Sequence, residues 1–438
     1  MEKEFNVNEK LSFPQKIISK NIDGFEIILA PEYPNWLVLN PNETEMFSDL
    51  RRDFTILQTM ENFIEQKNFS EDEVIKIMTS LLSKIDAAKF YQDAETFAEE
   101  KIENFPKLIH INLTNNCNLR CRHCYMSAGK FKEQVVNFEE LKKFFKNLEP
   151  LQEKSEIILS GGEPLTYENF FEVLKFLDNG KNKITLFTNG TLIDDTNYKI
   201  IADHCSEVQL SFEGVTQNYF EQIRGKGNYH KVINALNLLK SCGVRIIFAI
   251  TLLPMTIEDV KNNLIEFIKS LDYKNFEIRL NSEIEFTGNA ADFDRNQFDK
   301  KYLDNIVIQL IRKLSELGVE MNFSNQNNIK FSNCGIGANL VIHYDENIYP
   351  CHKFSDYKFK MSDDAEKIFQ AFNELNKSTS ICRIKKCCAC DLKYICGGGC
   401  RIENYIKNKN FLSSICDEKF KDSIYRKVLF DNLQFTNS

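Results

Sequence analysis

Between residues 106 and 320, short strand-like runs alternate with helix-like stretches, and that alternation commits the middle of the chain to a parallel α/β fold. The strand candidates are Leu108 to Leu113, Glu156 to Leu159, Ile184 to Phe187, Val208 to Phe212, Val244 to Ile250 and Phe276 to Leu280. Between them lie helix candidates at Phe138 to Leu148, Glu168 to Leu177, Asp194 to Ala202, Tyr229 to Leu239 and Ile257 to Leu271. Six such units imply an open, partial (β/α)6 barrel of TIM type, whose reactive residues belong on loops at the C-terminal ends of its strands.

A chain of 438 residues needs two or three cores, so the barrel should have companions. Residues 1–95 lack cysteine and open with strand-like pieces, Phe25 to Ala30 after the turn Asp23-Gly24, then Trp36 to Asn40. Helical patterns follow, with Asn42 or Thr44 as a cap before Met46 and Leu50, and Ser70 with Glu73 as a capping box. These features predict a small winged-helix-like α+β domain at 1–95, the barrel at 96–320 and a cysteine-rich domain at 321–438. A net charge of −8 argues against nucleic acid or an anionic membrane as the main partner. With no apolar run long enough to span a bilayer and no basic-then-apolar secretory signal, the expected location is the cytoplasm.

Fourteen cysteines in such a chain are not a disulfide framework, because reducing cytosol disfavours disulfides and these residues bunch in two regions. The first bunch is Cys117, Cys121 and Cys124, on one loop directly after the first strand candidate. Soft thiolates suit iron–sulfur clusters, zinc or copper. Structural zinc normally takes four ligands, so zinc would need His123 or a distant residue as the fourth. Three thiolates can instead hold one corner of a [4Fe–4S] cluster and leave an iron open for chemistry. Cys205 and Cys242, on helix-like stretches, read as packed hydrophobes.

The Cys-x3-Cys-x2-Cys loop, with Gly161-Gly162-Glu163-Pro164 closing the second strand, resembles the radical S-adenosylmethionine (radical SAM) superfamily. The resemblance implies a [4Fe–4S] cluster on Cys117, Cys121 and Cys124 whose open iron chelates S-adenosylmethionine. Reductive cleavage then gives a 5′-deoxyadenosyl radical that abstracts hydrogen from substrate. It places the cofactor against His123 and Tyr125 of the loop and against Gly161, Gly162, Glu163 and Pro164 at the amino group. Asn189, Ser211 and Glu213 would approach the ribose and the methionine carboxylate, and Arg224 would assist in positioning. Thr287-Gly288-Asn289-Ala290 resembles the family's Gly-x-Ala turn, and Glu283, Glu285 and His343 are polar residues available to line the cavity.

The second bunch runs Cys387-x2-Cys390-x5-Cys396-Gly-Gly-Gly-Cys400-x15-Cys416, after Tyr349-Pro350-Cys351-His352, and resembles the SPASM extension of peptide-modifying radical SAM enzymes. By that resemblance Cys387, Cys390, Cys396 and Cys416 hold an outer auxiliary [4Fe–4S] cluster, and Cys334, Cys351 and Cys400 an inner one. The inner cluster either keeps an open iron or is completed by Cys382 or Cys388. A zinc ribbon would also use paired cysteines, but the long tail to Cys416 and the Tyr-Pro-Cys element fit iron–sulfur better.

The layout of residues 1–95 is similar to peptide-recognition modules, in which a leader peptide adds a strand to a sheet edge. Together the resemblances imply a peptide maturase acting on a ribosomally made precursor with a leader. It would be supplied with electrons by a flavodoxin or ferredoxin and would most readily form sulfur-to-carbon thioethers. Formylglycine formation in a sulfatase, carbon–carbon crosslinking, epimerisation and a catalytically idle peptide-binding scaffold are the alternatives.

Overall fold

The computed structural model describes residues 4–32, 35–67, 69–91, 108–148, 155–282, 284–319 and 331–433. Backbone contacts divide the chain into two units, Met1–Lys101 with Phe323–Cys334 and Lys377–Ser438, and Ile102–Asn322 with Gly335–Asn376. The sequence-based boundaries at 95/96 and 320/321 fall outside the described residues.

The first unit opens with an antiparallel sheet of β1 (Ile18–Ile22), β2 (Phe25–Ala30) and β3 (Asn35–Leu39), in the order β1-β2-β3. Asp23 and Gly24, both at positive φ, turn β1 into β2, with Ile22 facing Phe25. The apolar runs of β2 and β3 are unbroken because both sheet faces are covered. Ile28, Ala30, Leu37 and Leu39 join the core formed with the helices Pro41–Arg51, Ile56–Lys67 and Glu71–Ala87. Ile27, Leu29, Trp36 and Val38 pack against Leu392, Val428 and Leu429. Each large side chain buried this way contributes about 1.5–3 kcal/mol.

The first helix is capped at Asn40, two residues before Asn42 and four before Thr44. Asn40 accepts from Glu43 N at 3.0 Å and the Glu43 carboxylate accepts from Asn40 N at 2.9 Å, with Pro41 in the first turn. The apolar run hid this cap by making Asn40 look like the end of a strand. The Ser70–Glu73 capping box forms as read.

The second unit holds six parallel strands side by side in chain order: β4 (Leu108–Asn112), β5 (Glu156–Ser160), β6 (Lys183–Thr188), β7 (Glu207–Ser211), β8 (Arg245–Thr251) and β9 (Phe276–Asn281). This is the expected open α/β sheet. Helices at Phe138–Leu148, Phe170–Leu177, Tyr198–His204, Tyr229–Ser241 and Ile257–Ser270 return the chain between strands. Ile109 and Ile111 of β4, Ile157 and Leu159 of β5, and Leu186 of β6 are fully buried in one core with Leu141, Phe144 and Phe145. Their alternate neighbours His110, Ile158 and Phe187 are only half-buried, as the period of two requires. On the free side of β4 the sheet continues through β10 (Leu340–Ile342), parallel to it, then antiparallel β11 (Asn347–Tyr349) and β12 (Phe359–Lys360). Among the described residues no helix is long and apolar enough to cross a membrane.

Candidate radical site at the strand ends

Strand β4 ends at Asn112, and the cysteine loop begins five residues later. Its backbone is held from two directions. From one side, Gly162 N donates to Thr114 O at 2.7 Å and Glu163 N to Asn116 O at 2.8 Å, lacing the turn after β5 to the run leading into Cys117. From the other, Asn289 N donates to Cys124 O at 2.8 Å and Asn289 Nδ2 to Cys121 O at 3.0 Å.

Glycine is required at both lacing points. A Cβ on Gly162 would lie 2.1 Å from Asn116 O, and one on Gly288 would lie 2.3 Å from Tyr125 O. Gly162→Ala should therefore displace the cysteine loop. We expect purified G162A to lose most of the iron bound by that loop, measured as iron per chain against wild type, at a stability cost of about 1–3 kcal/mol.

The loop is prepared for thiolates. Leu119 N lies 3.4 Å from Cys117 Sγ and Ala128 N 3.5 Å from Cys124 Sγ, and Asn189 Nδ2 lies 3.8 Å from Cys117 Sγ. Donors of this kind stabilise charge on sulfur and tune a bound cluster. Burial pushes the Cys117 thiol up and the Cys121 thiol up to about 11. Without metal these two thiols are protonated at neutral pH, so binding a cluster releases protons. Among the described residues no three His, Cys, Asp or Glu side chains close around a single metal ion. The fit of the loop to a cluster rests on its three-sulfur donor set and the N–H groups aimed at it.

Glu163 is fully buried and points back into the protein. Its carboxylate accepts from Thr188 Oγ1 at 2.7 Å, Asn189 N at 2.7 Å and Leu165 N at 3.3 Å, tying the turn after β5 to the end of β6. Burial raises its pKa and these three donors pull it partly back. Asn189 in turn donates to Asn118 Oδ1 at 2.9 Å, and Ser211, at the end of β7, reaches Thr188 O at 3.4 Å. Pro164 starts the short turn behind Glu163, and Tyr125 is about half-exposed.

Glu213 and Arg224 form a buried pair. Arg224 grips both oxygens of Glu213, Nε on Oε2 and Nη2 on Oε1 at 2.7 Å. The bidentate carboxylate partner of this guanidinium is thus a residue of the chain. His123 Nε2 lies 3.3 Å from the same carboxylate, and its buried Nδ1 has no hydrogen-bond partner among the described residues. Burial alone would raise the Glu213 pKa, but Arg224 and His123 reverse that and hold it well below the ordinary carboxylate range.

Sequence reasoning missed the support beneath this pair. Asp259 is buried and accepts from Val215 N, Thr216 N and Thr216 Oγ1 at 2.7–3.1 Å, anchoring the loop after Glu213. Its only signal was a helix-start acidic pair, Glu258-Asp259, indistinguishable from ordinary dipole complementation. Of the candidate cavity residues, Glu283 lies outside the described residues, Glu285 pairs with Lys353 at 3.2 Å, and His343 lies 3.6 Å from Asp345.

Residues 111–266 match the family model for the Radical SAM superfamily. This stretch is a radical SAM domain. The chain is 30% identical over 132 residues to mycofactocin maturase MftC of Mycolicibacterium smegmatis, a match covering 30% of this chain and 33% of that protein. It is 21% identical over 332 residues, 71% of each chain, to the antilisterial bacteriocin subtilosin biosynthesis protein AlbA of Bacillus subtilis. In fold it is similar to Streptococcus suis SuiB bound to S-adenosylmethionine, with a TM-score of 0.56 at 16% identity over 92% of this chain and 98% of that one.

Radical SAM chemistry uses a [4Fe–4S] cluster and S-adenosylmethionine, and Cys117, Cys121 and Cys124 are the residues that would hold the cluster. When bound, that pair supplies a hydrogen-abstracting radical.

In the other unit, Cys387, Cys390, Cys396 and Cys416 are brought in on short helices and turns. The Cys390 N–H donates to Cys387 O at 2.9 Å, the Gly398 N–H approaches Cys396 Sγ at 3.3 Å, and Lys386 Nζ donates to Cys416 O. Cys334, Cys382 and Cys388 are exposed and Cys400 is half-buried, while Cys351, also half-buried, belongs to the barrel unit. Cys205 packs in the barrel core as expected, but Cys242 is exposed, because the helix Tyr229–Ser241 ends just before it and turns it outward.

Proposed function

We propose that this enzyme is a peptide maturase that modifies a ribosomally made precursor, joining a cysteine sulfur to a carbon of the same peptide. The observation that carries this reading is one chain that combines a three-thiol loop laced to Gly161–Pro164 with an outer sheet strand, β1, whose middle residues are exposed. Such an edge can take up an extended leader segment through main-chain hydrogen bonds. The similarity to a bacteriocin biosynthesis protein supports the assignment, as does the likeness in fold to SuiB, which has been crystallised with its precursor peptide SuiA.

In this reading residues 1–95 recognise the leader, 96–320 carry the radical chemistry and 321–438 form a SPASM domain with two auxiliary [4Fe–4S] clusters. The outer cluster uses Cys387, Cys390, Cys396 and Cys416, and the inner one Cys334, Cys351 and Cys400. A flavodoxin or ferredoxin supplies the electron, and the reducing cytoplasm keeps the thiols available.

The reaction balances without an external oxidant. The peptide gives up one C–H and one S–H hydrogen and gains a C–S bond; one hydrogen ends on 5′-deoxyadenosine and the other leaves as a proton, S-adenosylmethionine takes the two electrons and leaves as methionine and 5′-deoxyadenosine, and the donor's priming electron is returned as the C–S bond closes. Co-expression with a short cysteine-bearing peptide encoded beside the gene should give a product lighter by two hydrogens per modified cysteine and resistant to thiol reductant, read by mass spectrometry. An unmodified peptide alongside cleaved S-adenosylmethionine would defeat the thioether reading.

A further inference from the structure

The Gly397-Gly398-Gly399 run between Cys396 and Cys400 has all three residues at positive φ and curls around Arg401. Arg401 is 0% exposed. Its Nη2 donates to Gly397 O, its Nη1 to Gly399 O and its Nε to Thr379 O, each at 2.7 Å. A Cβ on Gly398 would come within 3.0 Å of the guanidinium, so glycine lets the loop close over it. All three acceptors are neutral carbonyls. Among the described residues no carboxylate is paired with this cation, although arginine stays charged under all ordinary conditions.

A buried cation without an anion is costly, and proteins compensate such charges. Arg401 directly follows Cys400 and is clasped by the loop between Cys396 and Cys400, and the sulfurs of Cys334 and Cys387 are also near enough to act on its charge, so that both auxiliary ligand sets face it. As thiols they offer it nothing; as cluster thiolates they are the missing negative charge.

We infer that Arg401 is the shared counter-cation of the two auxiliary clusters, offsetting their anionic charge and raising the potentials at which they accept an electron. The inference rests on the auxiliary-cluster assignment made above. Net charge near a cluster sets its reduction potential, and a cation favours the reduced, more negative state. A guanidinium clamped by three carbonyls is also preorganised, so it cannot swing away to solvent when the clusters change charge.

The test compares wild type, Arg401→Lys and Arg401→Gln as full-length, anaerobically reconstituted protein. Iron per chain is measured first, then the cluster midpoints by redox titration followed by electron paramagnetic resonance. Wild type should hold about twelve irons, three four-iron clusters. R401Q should show auxiliary midpoints shifted negative by at least a tenfold change in the reduction equilibrium, 59 mV for one electron, with the midpoint of the Cys117, Cys121 and Cys124 cluster unchanged. R401K should stay near wild type.

Auxiliary midpoints in R401Q equal to wild type overturn the inference while leaving the clusters in place. If R401Q fails to load, R401K decides: loading by lysine supports a charge role, and equal loss in both variants reduces Arg401 to a neutral clasp and overturns it. About four irons in wild type would remove the auxiliary clusters, and the inference with them.

Discussion

Cys121→Ala should abolish 5′-deoxyadenosine formation in the presence of S-adenosylmethionine and a strong chemical reductant, and should lower the bound iron by roughly four per chain. The same substitution should cost only about 1 kcal/mol in the stability of the metal-free chain, the size of an ordinary small truncation. The contrast follows from how the loop is held. Its path is set by Asn289 on the carbonyls of Cys121 and Cys124 and by Gly162 and Glu163 on Thr114 and Asn116, none of which involves a sulfur. Near-wild-type circular dichroism with no product would fit this division of labour. Iron content unchanged in C121A would show that the thiol is not a ligand.

The barrel was legible because its strands are apolar runs separated by amphipathic helices. Phe138–Leu148 was read to the residue, since Leu141, Phe144, Phe145 and Leu148 repeat at helical spacing behind Asn137. β1 was not, because Ile-Ser-Lys-Asn-Ile carries three exposed residues in its middle and only the hydrogen-bonded partner β2 makes it a strand. β10 to β12 are two or three residues each, below the length at which alternation can be seen, yet they extend the main sheet past β4.

At the site, the residue types were legible and their partners were not. Glu163 reads in sequence as a carboxylate aimed at a ligand's ammonium group, whereas folding turns it inward onto Thr188 and Asn189. Arg224 reads as part of a glycine-rich loop, but it is the last residue of the helix Gln217–Arg224, which presents its guanidinium to Glu213. Neither arrangement follows from spacing, because each depends on which strand ends the sheet brings side by side.

Arg224→Met should destabilise the protein by about 3–5 kcal/mol, because it leaves the Glu213 carboxylate buried and unpaired. The two side chains are 6% and 2% exposed, so water cannot take over the lost partner. At a typical domain-scale slope this is a fall in Tm on the order of 10 °C. Arg224→Met with Glu213→Leu should recover most of the loss, since an apolar pair of similar volume avoids the desolvation that the ion pair had to overcome. The pH dependence separates the two variants. The folded Glu213 carboxyl titrates below its ordinary value of about 4.3, so in wild type its contribution is complete above that pH and is lost as acid takes the pH down through the lower folded value. In R224M burial acts without its main counterweight, so that the carboxyl instead destabilises the fold as pH rises through its ordinary range. Thermal melts of both variants between acid and neutral pH measure this directly, and a double variant no more stable than R224M would refute the buried-charge account.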